Sequence, residues 1–293
     1  VDRDPAFLAE CQSLKRACER YPSIEALRAS PEWPDLQRRM QAILSALRRY
    51  EPPHPPGPSE QPDRLKAVHW NIEHGNWYEQ VEAALLHNEE LADADVCFFN
   101  EIDFGMARAG NRDVTGDLSR SLNRYGVWAP LFLETTLGRD DDSRVAGSLT
   151  NQESLFGLAI LSRWPMRDVR IAELPSPEKY QFDFERMVGR HVALSATIDR
   201  PGAPFVAVAA HLEVHRTRAQ RATQIRTLLR GFADTRLPVL IAGDFNTHTF
   251  DRGRWWDPML GASVLMFAPD RKLEHRLLFP DHGPTREPLF DEL

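Results

Sequence analysis

The sequence predicts an α+β fold, and three observations carry that prediction. Seven short apolar runs, rich in β-branched or aromatic residues, are bounded by turn residues as strands are. Longer stretches between some of them place apolar residues at helical spacing. Several neighbouring runs have no helix between them, which favours antiparallel hairpins mixed with helices over a pure βαβ winding. The plainest pair is Arg190–Ile198 and Phe205–Leu212, joined through Pro201-Gly202.

The elements follow in chain order. Phe7, Cys11, Leu14 and Cys18 form one apolar stripe, and Leu36, Met40, Ile43, Leu44 and Leu47 form another. A Pro31–Pro34 turn splits these two amphipathic helices, whose stripes are expected to pack on the main domain or on each other. Residues 51–64 carry six prolines in fourteen residues, so they continue neither a helix nor a central strand. This reads as a stiff linker. It divides an N-terminal helical extension (1–50) from a main domain (65–293). The expected strands of that domain are Leu65–Ile72, Ala94–Ile102, Val127–Leu133, Phe156–Leu161, Arg190–Ile198, Phe205–Leu212 and Val239–Phe245. The expected helices are Trp77–Ala92, Asp117–Arg124 and Thr217–Phe232.

Composition sets the outer bounds. With 293 residues, 42% hydrophobic and 27% charged, the chain is globular and needs no disulfide staples. Cys11, Cys18 and Cys97 are too few, and odd in number, for a secreted disulfide framework. No 18-residue apolar run offers a membrane span. The chain begins with Val rather than Met, which reads as a trimmed N-terminus whose targeting segment is unknown. The balance weakly favours the cytoplasm. A net charge of −7, with no Lys/Arg block, disfavours a protein that lives on nonspecific attraction to nucleic-acid backbone.

The informative polar residues sit where apolar runs end. Val239–Ala242 runs into Gly243-Asp244-Phe245-Asn246-Thr247, and in a strand Asp244 and Asn246 would point to the same side. A carboxylate can hold a metal or take a proton from water, and an amide beside it can orient that water. Read alone, the segment is equally an Asx turn. Three further runs end in the same way, in Asn71 and Glu73-His74, in Asn100-Glu101-Ile102-Asp103, and in His211-Leu212-Glu213. Such a cluster at strand ends is how a sandwich or barrel builds a site at its rim.

The order of these motifs resembles the endonuclease/exonuclease/phosphatase superfamily. The resemblance rests on WNIEHG (Trp70–Gly75), NEID (Asn100–Asp103), FGLAILSRWP (Phe156–Pro165), AHLE (Ala210–Glu213) and GDFNT (Gly243–Thr247). Arg221, Gln224 and Leu228 fit the helix after the His strand, and Glu101–Asp113 resembles a bacterial branch. The resemblance covers about residues 65–293 by motif order. It implies a four-layer α/β sandwich, two mixed sheets face to face with helices outside. It also implies Mg²⁺-dependent hydrolysis of a phosphoester, with Mn²⁺ as the alternative ion. Carried over residue by residue, Glu101 binds the metal and Asn71 lies beside metal and phosphate. Asp244 and Asn246 position or deprotonate the water, and His211 contacts the scissile phosphate. The substrates it allows are nucleic acid, a phospholipid headgroup, an inositol phosphate or a small nucleotide. The alternative is an inactive binding module on the same fold.

One departure stands out. The superfamily pattern ends in a strand carrying Asp and a Ser-Asp-His triplet, and neither follows GDFNT here. The expectation is that these C-terminal strands are missing from the sequence, with Asp281-His282 as the alternative. Arg108, Asn111 and Arg112 closely follow Glu101; a loop there either reaches substrate phosphate through a guanidinium or holds a fold-internal salt bridge. Arg163 reads as structural, Asp140–Asp142 as a solvated loop, Trp255-Trp256 as packing, and His215 and His248 as bystanders.

Overall fold

The protein is described here by a computed structural model, which covers residues 3–54, 64–139, 141–176, 178–214, 217–247, 278–282 and 286–293, with positions 259, 263, 266, 267, 269–271 and 274 between them. The chain divides into two compact units, residues 1–210 with 236–244, and residues 211–235 with 245–293. The helices are α1 (Pro5–Glu19), α2 (Ile24–Arg28), α3 (Trp33–Leu44), α4 (Tyr78–His87), α5 (Val114–Ser121), α6 (Asp142–Ala146), α7 (Glu178–Asp183) and α8 (Arg218–Arg230). The strands are β1 (Arg48–Tyr50), β2 (Ala67–His74), β3 (Val96–Phe104), β4 (Tyr125–Glu134), β5 (Leu155–Ser162), β6 (Met166–Glu173), β7 (Met187–Gly189), β8 (Val192–Ile198), β9 (Phe205–His211) and β10 (Val239–Asp244).

The first unit is an α/β sandwich. One sheet runs β1-β4-β5-β3-β2 with β7 beside β4, and the other runs β10-β9-β8-β6. β2 and β3 are parallel, while β5 runs antiparallel to both β3 and β4. The run Val96-Cys-Phe-Phe99 is apolar throughout because β3 is buried on both faces. Val96 and Phe98 join Val127, Leu158, Ile160, Leu194 and Ala207 in the core between the sheets. Cys97 and Phe99 face the other way, into a core shared with Leu14 of α1, Met40 of α3, Leu85 of α4 and Leu118 of α5. The expected two-sheet architecture is therefore present, with helices over the outer face of the first sheet.

The N-terminal stripes pack on the main domain, as expected, so residues 1–50 belong to the same unit and are not a separate extension. Cys11, Leu14, Cys18, Leu36, Met40 and Ile43 are buried in the same cluster as Phe99 and Trp128. Arg48–Tyr50, expected to lie in the helical region, is instead a strand paired antiparallel with β4. Its Tyr50 hydroxyl donates to Asp113 Oδ1 at 2.9 Å, and Asp113 also caps α5 by accepting from Gly116 N–H. The proline run lies mostly outside the described residues, at 55–63. β6 and β7 went unforeseen for physical reasons. β6 is a partly exposed strand whose Arg167, Asp168 and Arg170 interrupt any apolar run, and β7 is three residues long.

In the second unit, Thr217 opens α8 with a capping box to Gln220. Ala222, Ile225 and Leu228 are buried on one face, as their spacing predicts. The fully buried Arg221 pairs with Glu287 at 3.2 Å, and Gln224 Oε1 accepts the Glu213 N–H at 3.1 Å. These contacts explain the Arg221, Gln224 and Leu228 pattern as packing. Among the described residues no helix is long and apolar enough to cross a membrane.

Three outcomes follow from this core. Leu14→Ala should lower stability by about 2–5 kcal/mol, the usual range for emptying a fully buried leucine site, as read by urea denaturation. A chain starting at Arg64 should lose its cooperative transition, because it lacks β1 and half the helical layer; a wild-type-like melt would restore the independent extension. The third outcome concerns pH. Burial pushes the Asp113 carboxyl above its ordinary 3.8, against the hydrogen bonds from Gly116 and Tyr50. The unfolded chain therefore releases this proton first as pH rises. Stability from Asp113 is full below about 3.8 and is lost as pH rises through the folded value. Asp113→Asn should flatten that loss in unfolding curves taken from pH 3.5 to 7, and an unchanged slope would contradict it.

Candidate active site

Three of the expected site residues meet where β2 and β3 stop being regular. The parallel pairing runs in register to Asn71–Asn100 and resumes at His74–Ile102. β3 and β5 pair through Phe99–Ala159 and resume at Ile102–Gly157. Each strand thus carries a bulge at its site motif. Glu101 has φ +51°, Glu73 +48° and His74 +67°, all in the left-handed region that residues with a Cβ rarely occupy. A bulge re-aims side chains, and here it turns Glu101 out of a strand whose neighbours are buried.

Asn100 links the two sheets. It is fully buried on β3, and its amide donates to Ala210 O of β9 at 3.1 Å. Its Oδ1 accepts the Asp244 N–H of β10 at 2.7 Å and lies 2.6 Å from His69 Nε2. Because Oδ1 is the acceptor, that imidazole nitrogen carries the proton. Gly243 lets β10 lie against β9, since a Cβ there would overlap the Ala210 carbonyl. Asp244 is thereby fixed beside the bulges.

Asn71 occupies the centre. Its Nδ2 donates to Glu101 Oε1 at 3.0 Å and to Asp244 Oδ2 at 3.1 Å, so two carboxylates from different strands share one amide group. Its Oδ1 accepts the Glu73 N–H at 3.2 Å, which fixes the amide's orientation. Asn246 is placed differently from the expectation. β10 ends at Asp244 and Asn246 has φ +47°, so the two-residue strand spacing does not apply to the pair. Asn246 belongs to the second unit, where its amide donates to Leu212 O at 2.7 Å. His211, the last residue of β9, also belongs to the second unit.

Arg108 and Asn111 are corrected as substrate-reaching residues. Arg108 is 3% exposed and its guanidinium grips Asp103 at 2.8 and 3.0 Å, Glu134 at 2.9 Å and Asp142 at 3.0 Å. Withdrawing it would strand buried carboxylates, a loss of about 3–5 kcal/mol, so it is the fold-internal salt bridge. Burial pushes Glu134 above the usual carboxylate range while Arg108 pulls it back. Asp142, expected in a solvated loop, belongs to this cluster instead. Asn111 spends its amide on the loop ahead of β5, donating to Thr150 O and accepting from Gln152 N–H. Arg112 meets Glu79 and Asp117, and Arg163 meets Asp95. Asp281 and His282 pair with each other at 2.7 Å on an exposed turn of the second unit. Asp140, His215, His248, Trp255 and Trp256 lie outside the described residues.

Sequence reasoning passed over His74. Its Nε2 lies 3.5 Å from Glu101 Oε2 and its Nδ1 lies 3.7 Å from Asp103 Oδ1. Burial and Arg108 push this imidazole down, but the Asp103 and Glu101 carboxylates outweigh them and raise it. The available signal was the alternation of ionisable residues in Glu73-His74 and Glu101-x-Asp103 on adjoining strands.

The donors at the bulges are hard oxygens. Among the described residues no group of three or more His, Cys, Asp or Glu side chains forms a metal cage. Glu101 and Asp244 side by side suit Mg²⁺, which takes one or two carboxylates and fills its other positions with water and phosphate.

The model of the Endonuclease/Exonuclease/phosphatase family matches residues 68–288, which contain all five motifs. The chain is similar to an endonuclease/exonuclease/phosphatase from Beutenbergia cavernae at 18% identity and TM-score 0.47, covering 69% of this chain and 53% of that one. It is similar to the human Nocturnin catalytic domain, solved with a bound sulfate anion, at 15% identity and TM-score 0.45, covering 70% and 69%. A mannosyl-6-phosphatase from Bacteroides thetaiotaomicron matches at 13% identity and TM-score 0.40, covering 62% and 66%. The chain therefore spans about half the length of the Beutenbergia protein. No curated protein matches it. With the family model spanning most of the sequence, from β2 to the last turn, the chain belongs to the endonuclease/exonuclease/phosphatase family.

Proposed function

We propose that the protein hydrolyses a phosphoester with the help of a divalent cation, Mg²⁺ or alternatively Mn²⁺. The observation that carries this is the pair of carboxylates, Glu101 and Asp244, held on the single amide of Asn71. Two anions brought this close repel one another, and their partial neutralisation by one amide leaves a site that attracts a cation. Glu101 would hold the ion, which when bound supplies positive charge against the phosphate oxygens.

The chain's own residues do the rest. Asp244 is the proton acceptor for the attacking water, since its backbone is pinned by Asn100 and its Oδ2 is oriented by Asn71. Asn71 tethers Asp244 and Glu101 against their mutual repulsion and so fixes their separation. For His211 and Asn246 the roles at phosphate and water rest on the motifs AHLE and GDFNT alone. The net charge of −7 favours a small phosphoester over a long nucleic-acid backbone as substrate.

Asp244→Asn preserves shape and the acceptor for Asn71 while removing the base. At saturating Mg²⁺ its kcat on a minimal phosphodiester should fall about 10²–10⁴-fold, the usual contribution of a positioned base. Its KM should stay near wild type and its melt should not move. Unchanged turnover in a folded variant would return Gly243–Thr247 to a purely structural turn. Running the same assay on a phosphomonoester separates diesterase from monoesterase.

A further inference from the structure

The proposed chemistry gives His74 no role, yet at the bulges its ring faces the carboxylates of Glu101 and Asp103. It is a full member of the site by geometry. Its two ring nitrogens face two different carboxylates, Nε2 toward Glu101 Oε2 at 3.5 Å and Nδ1 toward Asp103 Oδ1 at 3.7 Å. Phe156 closes the ring edge-on at 5.6 Å and 90°, so packing as well as charge sets the imidazole plane. Asp103 cannot swing away, because Arg108 holds both of its oxygens at 2.8 and 3.0 Å. The guanidinium is itself held by Glu134 and Asp142.

The order of fixed groups thus runs Arg108, Asp103, His74, Glu101. At its end the two oxygens of Glu101 face different partners, Oε1 the Asn71 amide and Oε2 the His74 ring. Glu101 needs such support. Its backbone sits at φ +51° in a bulge, outside the strand ladder that fixes its neighbours. A side chain on that backbone has no regular pleat to aim it.

We propose that His74 is a positioning residue that aims the Glu101 carboxylate for cation binding, with Asp103 and Arg108 holding the imidazole in place. This rests on the reading of Glu101 as the residue that holds the cation. Groups that orient a metal-binding carboxylate from behind typically change affinity 10–100-fold when removed. A residue that only packed the bulge would change the melt without that selective loss.

The test is Mn²⁺ binding to the full chain without substrate, followed by electron paramagnetic resonance, beside the Mg²⁺ dependence of turnover. His74→Asn tolerates the left-handed backbone but is too short to bridge the two carboxylates. It should weaken Mn²⁺ binding about 10–100-fold and raise the Mg²⁺ midpoint in step, with kcat at saturating Mg²⁺ within a few-fold of wild type. His74→Gln, longer and carrying an amide donor, should recover part of the affinity. Glu101→Gln should lose tight Mn²⁺ binding altogether. Wild-type affinity in a folded His74→Asn protein, with binding lost in Glu101→Gln, overturns the positioning role and leaves the cation reading intact. Wild-type affinity in Glu101→Gln overturns the cation reading and the positioning role with it. Should His74→Asn fail to fold, His74→Phe keeps the ring volume without a nitrogen and is read in the same way.

Discussion

A buried amide that crosses between two sheets is what the candidate site depends on. Asn100 leaves β3 of one sheet and satisfies itself on β9 and β10 of the other, accepting the Asp244 N–H and donating to Ala210 O. A fully buried side-chain amide with no partner would be costly, so these bonds are obligatory once the sheets pack. They fix the height at which β10 meets β3, and hence where Asp244 stands relative to Glu101. His69 completes the acceptor's surroundings and leaves no slack in the link.

Around that link, charge is handled in two different ways. At the bulges Glu101 and Asp244 remain partly accessible and are held side by side by a neutral amide, which suits carboxylates that must still receive a cation and a water proton. Behind them Asp103, Glu134 and Asp142 surround the Arg108 guanidinium, which has no capacity left for substrate. Glu101 and Arg108, seven residues apart, therefore fall on different sides of this division, one on the accessible face and one in the buried backing. His74 lies between the two, facing one carboxylate of each.

The helical layer supports the site through β3, and through Ile72 of β2 beside Asn71. Cys97 and Phe99 face that layer, while Val96 and Phe98 face the inter-sheet core, so the strand carrying Asn100 and Glu101 is pinned from both sides. Placing a domain boundary after residue 50 followed naturally from the proline run, because proline density reports on local backbone and not on where a chain returns. Residues 48–50 pair with β4, and no local pattern in Arg-Arg-Tyr distinguishes that strand from the end of a helix.

By itself the sequence determined the α+β class and the apolar strands that end in polar residues, while the motif resemblance implied the sandwich and pointed to Asn71, Glu101 and Asp244. Periodicity and abrupt polar endings are local properties, and burial of a strand on two faces is written directly into a run such as Val96–Phe99. Tertiary structure alone decided which polar residues meet. Arg108 stands seven residues after Glu101 and looks free to reach a phosphate, yet Glu134 and Asp142, from β4 and α6, claim it. His74 looks like one more polar residue at a strand end, yet the bulges bring it against Glu101 and Asp103. Asp244 and Asn246 look like a pair on one strand, yet the backbone turns left-handed between strand and amide. Pairings of that kind depend on register shifts and on charges far apart in the chain, and neither leaves a trace in local spacing.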